Sequence, residues 1–267
     1  MSLTASPSPL PRPVRFLFFR VIVAMILREM TTRYGRSIGG YFWAIAEPLG
    51  AITLLTIAFS QMMRAPPIGT SFALFYATGY MAFHIYSDIS NTVSSAVKVN
   101  RNLMRYPSVT PLDAILARFL LSLLTQLVVL SVMLTGIILL SDAHVNLDLP
   151  SIALAIAMAA LLGLGVGTLN CVIFAFVPVW GQLWAVINRP LFIISGVFYL
   201  VEELPTNLRE IIWYNPLVHP VSIMRAGFYG TYEAGSASPA YVFFLGSTML
   251  ACGLLLLRRH RSRIVEG

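Results

Sequence analysis

Hydrophobic positions in this chain gather into long unbroken stretches, and polar positions collect between them. A helix needs roughly 20 apolar residues to cross about 30 Å of hydrocarbon. By that measure the pattern predicts six membrane-spanning helices, at 43–63, 72–92, 114–140, 151–177, 184–201 and 240–257. An even number of crossings leaves both ends of the chain on one side. The run from Phe16 to Leu27 is too short to cross, and Arg15, Arg20, Arg28 and Arg33 punctuate it, so it reads as a helix lying in the membrane interface. A cleaved leader fits poorly there, because Arg20 breaks the run and Arg28 and Glu29 occupy the place of a small-residue cleavage site.

Between the last two spans, residues 204–230 hold two shorter apolar pieces separated by Asn215-Pro216, with Pro220 near the start of the second. They predict two short helices, re-entrant or at the outer surface. The fold class is therefore all-α: a polytopic membrane protein with six transmembrane helices, an amino-terminal interfacial helix and two short helices before the last span. Its parts are a Pro- and Ser-rich tail at 1–13, expected to be disordered, the interfacial helix and basic segment at 14–41, the transmembrane domain at 42–257, and a tail at 258–267.

Charge orients this arrangement. Residues 1–41 carry six Arg against Glu29, residues 95–118 carry Lys98, Arg101, Arg105 and Arg118 against Asp113, and residues 258–267 carry four Arg against Glu266. The connectors at 141–150 and 201–239 are net acidic. Basic loops stay in the cytoplasm, so both termini and the 95–113 loop belong there, and the 204–230 segment belongs outside.

Two polar patterns need a reason. Tyr76, Tyr80, His84, Asp88 and Asn91 recur every three or four residues in the second span, which puts them on one helical face. That face avoids lipid: it either lines a wet pathway or packs through hydrogen bonds, with His84 and Asp88 satisfying each other at i and i+4. In the 95–113 loop, Val99, Leu103 and Tyr106 share one face of a short helix and Arg101 and Arg105 another, until Pro107 stops it. An exposed amphipathic turn of this kind suits docking to a cytoplasmic partner, through Asn100, Arg101, Leu103, Met104, Arg105 and Tyr106; a solvated charged loop is the plain alternative. Glu47, before Pro48, is expected to clamp onto the basic Arg28–Arg36 segment, and Arg189 to snorkel to the cytoplasmic interface. Gly163, Gly165 and Gly167 read as helix-packing positions, and Cys171 and Cys252 as small core residues rather than a disulfide or a metal pair.

With 57% hydrophobic and 11% charged residues, the chain lies outside the soluble range. Its net charge of +7 then points to lipid headgroups or an anionic substrate, not to nucleic acid. No G-x-x-x-x-G-K-[ST] motif occurs, so ATP-driven work requires a second polypeptide, and no cofactor or metal is expected on this chain. The cytoplasmic acids Glu29, Asp113 and Glu266 are widely separated and the single lysine is Lys98, a poor set for a glycosyltransferase or a phosphatase.

The segment Arg28-Glu-Met-Thr-Thr-Arg33-Tyr34-Gly35-Arg36, followed by Gly40-Tyr41-Phe42-Trp43-Ala44 and Glu47-Pro48, resembles the membrane subunits of type 2 ABC exporters of bacterial polysaccharides, above all the capsular polysaccharide (polysialic acid type) exporters. Asn102-Leu103, Tyr106-Pro107, Pro111 to Arg118, Ser195 to Tyr199 and Trp213-Tyr214-Asn215-Pro216-Leu217-Val218-His219 extend the resemblance over nearly the whole chain after residue 14. It implies an inner-membrane homodimer docked by the 95–113 loop to two copies of an ABC ATPase, which binds ATP and Mg. It also implies a lipid-linked anionic polysaccharide as cargo and a periplasmic co-polymerase or adaptor as partner. Arg28, Arg33 and Arg36, with Tyr34, Tyr41 and Trp43 in the same segment, then become entrance residues for the charged lipid end, since arginine pairs bidentately with phosphate and carboxylate. Exporters of O-antigen, teichoic acid or a small molecule share the architecture; an enzyme acting on polyprenyl-linked glycans is the alternative of another class.

Overall fold

The computed structural model describes residues 17–33, 39–105, 109–140, 145–177 and 179–260, and every regular element among them is helical. Ten α-helices follow in order: α1 (Leu17–Arg33), α2 (Gly40–Met62), α3 (Phe72–Ser94), α4 (Ala96–Asn100), α5 (Pro111–Leu140), α6 (Leu149–Phe176), α7 (Trp180–Ile194), α8 (Thr206–Trp213), α9 (Val218–Ala226) and α10 (Pro239–Arg259). Among the described residues, α2, α5, α6 and α10 are long and apolar enough to cross a membrane. Helix α3 has 23 residues but carries the polar face. Helix α7 has only 15, about 22 Å at 1.5 Å per residue.

That length corrects the span expected at 184–201. The helix starts earlier, at Trp180, and ends at Ile194, because Gly196 turns the chain at φ +76 and Asn215 caps the end by donating to the Ile194 carbonyl at 3.3 Å and to Ser195 Oγ at 3.2 Å. The remaining residues of the expected span form a turn and a single 3₁₀ turn at Val201–Glu203.

Helix α6 is the centre of the subunit, packed between α3 and α10. A Cβ on Gly163 would come within 2.9 Å of Ile89 Cβ, and one on Gly167 within 2.8 Å of Val93 Cβ; one on Gly165 would lie 2.4 Å from the carbonyl oxygen of Gly246. Glycines two apart thus open opposite sides of α6, one to α3 and the other to α10, as expected for packing through small residues. The starts of α3 and α5 are capped by nearby side chains. Ser71 Oγ accepts from the Leu74 amide at 3.3 Å, and Asp113 reaches back to the Thr110 amide at 2.8 Å while Thr110 Oγ1 accepts from the Asp113 amide at 3.3 Å, a reciprocal box ahead of α5. Cys171 is buried as expected, whereas Cys252 is exposed on α10, whose packed side carries Val242, Gly246, Gly253 and Leu257.

The two short helices expected in 204–230 are present as α8 and α9. Every residue from Val218 to Arg225 is buried, with α9 against α6 and α3, while α8 buries none of its residues fully. The motif Trp213 to His219 fastens both to α10. Trp213 stacks on Tyr241 with centroids 5.3 Å apart, Tyr241 Oη donates to the Tyr214 carbonyl at 2.9 Å, and Trp213 Nε1 donates to the Ser236 carbonyl at 2.7 Å. His219 lies edge-on to both rings, fully buried, and accepts at Nδ1 from the Ser238 amide at 3.3 Å. Burial holds its pKa below the usual imidazole range, so it sits in the core neutral.

Candidate functional site

A groove of about 730 Å³ opens between α2, α3 and α7. Tyr80, His84, Ser87, Asp88 and Asn91 line it from α3, Glu47 faces it from α2, and Asn188, Arg189 and Phe192 face it from α7, with Phe198 at the following turn. The polar face read on the second span is thus one wall of this groove. Tyr76 is the exception. It is fully buried, with its ring 5.2 Å from those of Phe59 and Phe75, and does not line the groove.

His84 and Asp88 do not satisfy each other. His84 Nδ1 pairs with Gln126 Oε1 at 3.0 Å and stacks on Tyr80 with centroids 5.4 Å apart, while Asp88 Oδ2 accepts from Ser122 Oγ. Both partners lie on α5, a helix that sequence spacing within α3 could not name. Across the groove, Asn188 Nδ2 donates to Ser87 Oγ at 3.3 Å, tying α7 to α3. Asn188 is a wall residue that sequence reasoning passed over, and Arg189, expected to snorkel to the interface, is exposed and lines the groove. Glu47 faces the same space. Of the basic Arg28–Arg36 segment expected to clamp it, Tyr34 and Arg36 lie outside the described residues, as does the side chain of Arg33; so does the side chain of Tyr41, expected at the entrance.

Asp88 and Asn91 also line a second, more polar chamber of about 370 Å³, beneath α1. Its floor is a buried ion pair: Arg118 Nη2 donates to Glu29 Oε1, and Arg118 Nη1 donates to the Thr92 carbonyl at 2.9 Å and to Ser95 Oγ at 2.7 Å. Sequence reasoning counted Glu29 and Arg118 only as charges. The missed signal is a lone acid seven residues after Ile22 and four after Met25, apolar side chains that α1 buries. Next to it, Arg28 Nη1 donates to Asn100 Oδ1 at 2.9 Å, and Asn100 Nδ2 donates to the Ala96 carbonyl at 3.0 Å. One expected entrance residue and one expected docking residue are therefore in direct contact. Trp43, exposed and edge-on to Phe42 at 6.0 Å, stands apart from both.

The loop itself is not one amphipathic helix. Helix α4 ends at Asn100, Arg101 and Asn102 form a turn, and a single 3₁₀ turn covers Leu103–Arg105. The break redistributes the faces: Val99, Lys98 and Asn102 are exposed, Leu103 is half-buried against the core, and Asn100 and Met104 are buried. Asn100 and Met104, expected in the docking surface, therefore lie inside the fold. The Arg105 side chain and Tyr106 lie outside the described residues.

Chemically, the groove offers aromatic faces (Tyr80, Phe192, Phe198) beside amides, carboxylates and a guanidinium. Such a mixture stacks on apolar ring faces and exchanges hydrogen bonds with hydroxyl groups. Among the described residues no cluster of His, Cys, Asp or Glu could hold a metal ion.

Comparison with known proteins agrees with this architecture. The profile of the ABC-2 type transporter family matches residues 20–229. The chain is 30% identical over 242 residues to the capsule polysaccharide export inner-membrane protein CtrC of Neisseria meningitidis serogroup A, covering 90% of this chain and 91% of that one. It is 28% identical over 246 residues to the polysialic acid transport protein KpsM of Escherichia coli (92% and 95% covered) and 27% identical over 240 residues to the capsule polysaccharide export inner-membrane protein BexB of Haemophilus influenzae (90% and 90%).

Proposed function

The chain belongs to the ABC-2 type transporter family, and from that premise we propose that it is the membrane subunit of an exporter carrying capsular polysaccharide across the bacterial inner membrane. The observation that carries the reading is the likeness to capsule and polysialic acid export proteins along nine-tenths of the chain. The groove supports it, because a wall of aromatic and hydrogen-bonding side chains suits a polyhydroxylated chain. The work is driven by a separate ABC ATPase in two copies, which binds ATP and Mg, since this sequence has no phosphate-binding loop.

Two copies of the subunit form the membrane core. Helix α2 exposes Phe42, Trp43, Leu54 and Ile57, a face that a second copy or lipid must cover. Six crossings, by α2, α3, α5, α6, α7 and α10, put the basic 95–113 loop and both termini in the cytoplasm. Helices α8 and α9 then lie outside. The short α7 crosses with the help of the turn that follows it, and α3 crosses with its polar face turned to the groove. The cargo is a lipid-linked anionic polymer that enters past Arg28, Arg33 and Arg36 and is passed to a periplasmic adaptor.

Complementation tests this. In a cell lacking its own capsule export subunit but retaining polymer synthesis and the ATPase, the chain is expected to move polymer from the cytoplasm to the cell surface. Continued cytoplasmic accumulation, with the protein present in the inner membrane beside a matching ATPase, rejects the reading. Turnover of a sugar substrate by the purified chain alone would instead favour a membrane enzyme.

A further inference from the structure

Arg225 lies on α9 with no exposed surface, and the groove's own chemistry does not use it. Its Nη1 donates to the Tyr199 carbonyl at 2.9 Å and its Nη2 to the Val197 carbonyl at 2.8 Å, while the guanidinium carbon stands 4.2 Å above the centroid of Phe75. Both carbonyls belong to the turn that closes α7. The residue between them is Phe198, whose ring lines the groove and packs on Phe192 at 5.1 Å and Phe59 at 5.8 Å.

The seat is cut to this side chain. A Cβ on Gly79 would come within 2.9 Å of Nη2 and 3.3 Å of Val197 Cα. Burial pushes the pKa of Arg225 down to about 10, with Tyr232, Tyr229 and Glu202 acting in the opposite direction, so the side chain keeps its charge at neutral pH. A buried cation is a costly way to fill space, and an apolar side chain of similar size often serves stability as well. What the planar fork adds is simultaneous hold on two carbonyls two residues apart, which an ammonium group or an apolar chain does not reproduce.

Resting on the exporter reading above, we propose that Arg225 is a positioning residue for transport: it fixes the turn after α7 so that the Phe198 ring forms the wall at the outer end of the groove. The two carbonyls act as handles, and the ring between them sets the width left for the departing polymer. Glu202 secures the same end by accepting from Tyr232 Oη at 2.8 Å and Ser236 Oγ at 3.2 Å.

The test uses the full chain with its ATPase, Cys171→Ala and Cys252→Ala, and a reporter Phe198→Cys labelled by a water-soluble thiol reagent. Arg225→Gln and Gly79→Ala disturb the fork independently, the first by removing its charge and the second by pushing it aside. Both are expected to change the labelling rate at 198 on the order of tenfold, the effect of losing a charge-assisted hydrogen bond. With Phe198 in place, both are expected to depress polymer export while leaving membrane abundance and ATPase co-purification near normal. Arg225→Lys separates positioning from simple charge: the proposal expects it to behave like Arg225→Gln. Native labelling and export in the Lys variant, or unchanged labelling at 198 in Arg225→Gln and Gly79→Ala, overturns the proposal. If Arg225→Gln does not accumulate, Gly79→Ala and Arg225→Lys decide. Failure of the unmodified chain to export polymer counts against the exporter reading, and the labelling arm still reports whether Arg225 holds the turn.

Discussion

Arg118 and Glu29 are both almost fully buried, and each is the other's counter-charge. Removing one leaves the other as an uncompensated charge away from water, a change that costs about 3–5 kcal/mol in comparable buried pairs. Glu29→Leu and Arg118→Met are therefore each expected to lower the thermal midpoint of the detergent-purified protein sharply, and the double substitution to recover much of the loss. Equal stability of the single variants and the parent would mean that water reaches the pair. The same residues show what a sequence hides at this scale. A polar face on α3 is legible because its members recur at helical spacing, but the groups that satisfy it are not. His84 finds Gln126 and Asp88 finds Ser122, 42 and 34 residues further along, and nothing in local periodicity encodes that pairing. Arg225 escaped for a related reason: its partners are main-chain carbonyls, which leave no signature in side-chain identity.

Among the elements, α6 shows which features are legible and why. Three glycines at alternate positions announce close packing, and the structure adds the partner of each: a Cβ on Gly163 or Gly167 would lie 2.9 Å from the Tyr86 or Ser90 carbonyl oxygen of α3, and one on Gly165 still closer, 2.4 Å from the Gly246 carbonyl oxygen of α10. Backbone cannot rotate away as a side chain can. Gly165→Ala is therefore expected to separate α6 from α10 and destabilise the protein, whereas Gly136→Ala on α5, where nothing lies within 4 Å, is expected to stabilise it by roughly 0.5–1 kcal/mol through helix propensity. Opposite shifts in thermal midpoint check this; parallel shifts would show that the α6–α10 seam relaxes. Apolar run length was a poorer guide where the chain turns within a run. It placed the end of α7 at 201 because Val197 to Val201 is as apolar as the helix before it, but Gly196 at positive φ ends the helix first. In the 95–113 loop, amphipathic spacing suggests one helix, and the break after Asn100 instead turns Asn100 and Met104 inward.

At the scale of the whole molecule, these contacts form one continuous line. The groove shares Asp88 and Asn91 with the chamber beneath α1, the chamber is floored by Arg118 and Glu29, and the residue before Glu29 on α1, Arg28, holds Asn100 at the end of α4. An ATPase pressing on α4 would thus push on α1 and α3 together, through groups that reach the groove wall. On the proposed exporter reading, this divides the 95–113 loop into an exposed set for the partner to meet and a buried set to pass the movement on. Val99→Asp and Lys98→Glu, on exposed positions, are expected to abolish co-purification with the ATPase and export alike. Asn100→Ala removes the acceptor for Arg28 from a buried position and is expected to leave co-purification intact while export falls and ATP hydrolysis continues. The ratio of polymer exported to ATP hydrolysed is the quantity that separates the two sets. If Asn100→Ala instead released the ATPase, docking would have to reach into the loop's interior. If it changed neither ratio nor binding, the line from α4 to the groove would have to run through the packing of Leu103 and Met104 against the core.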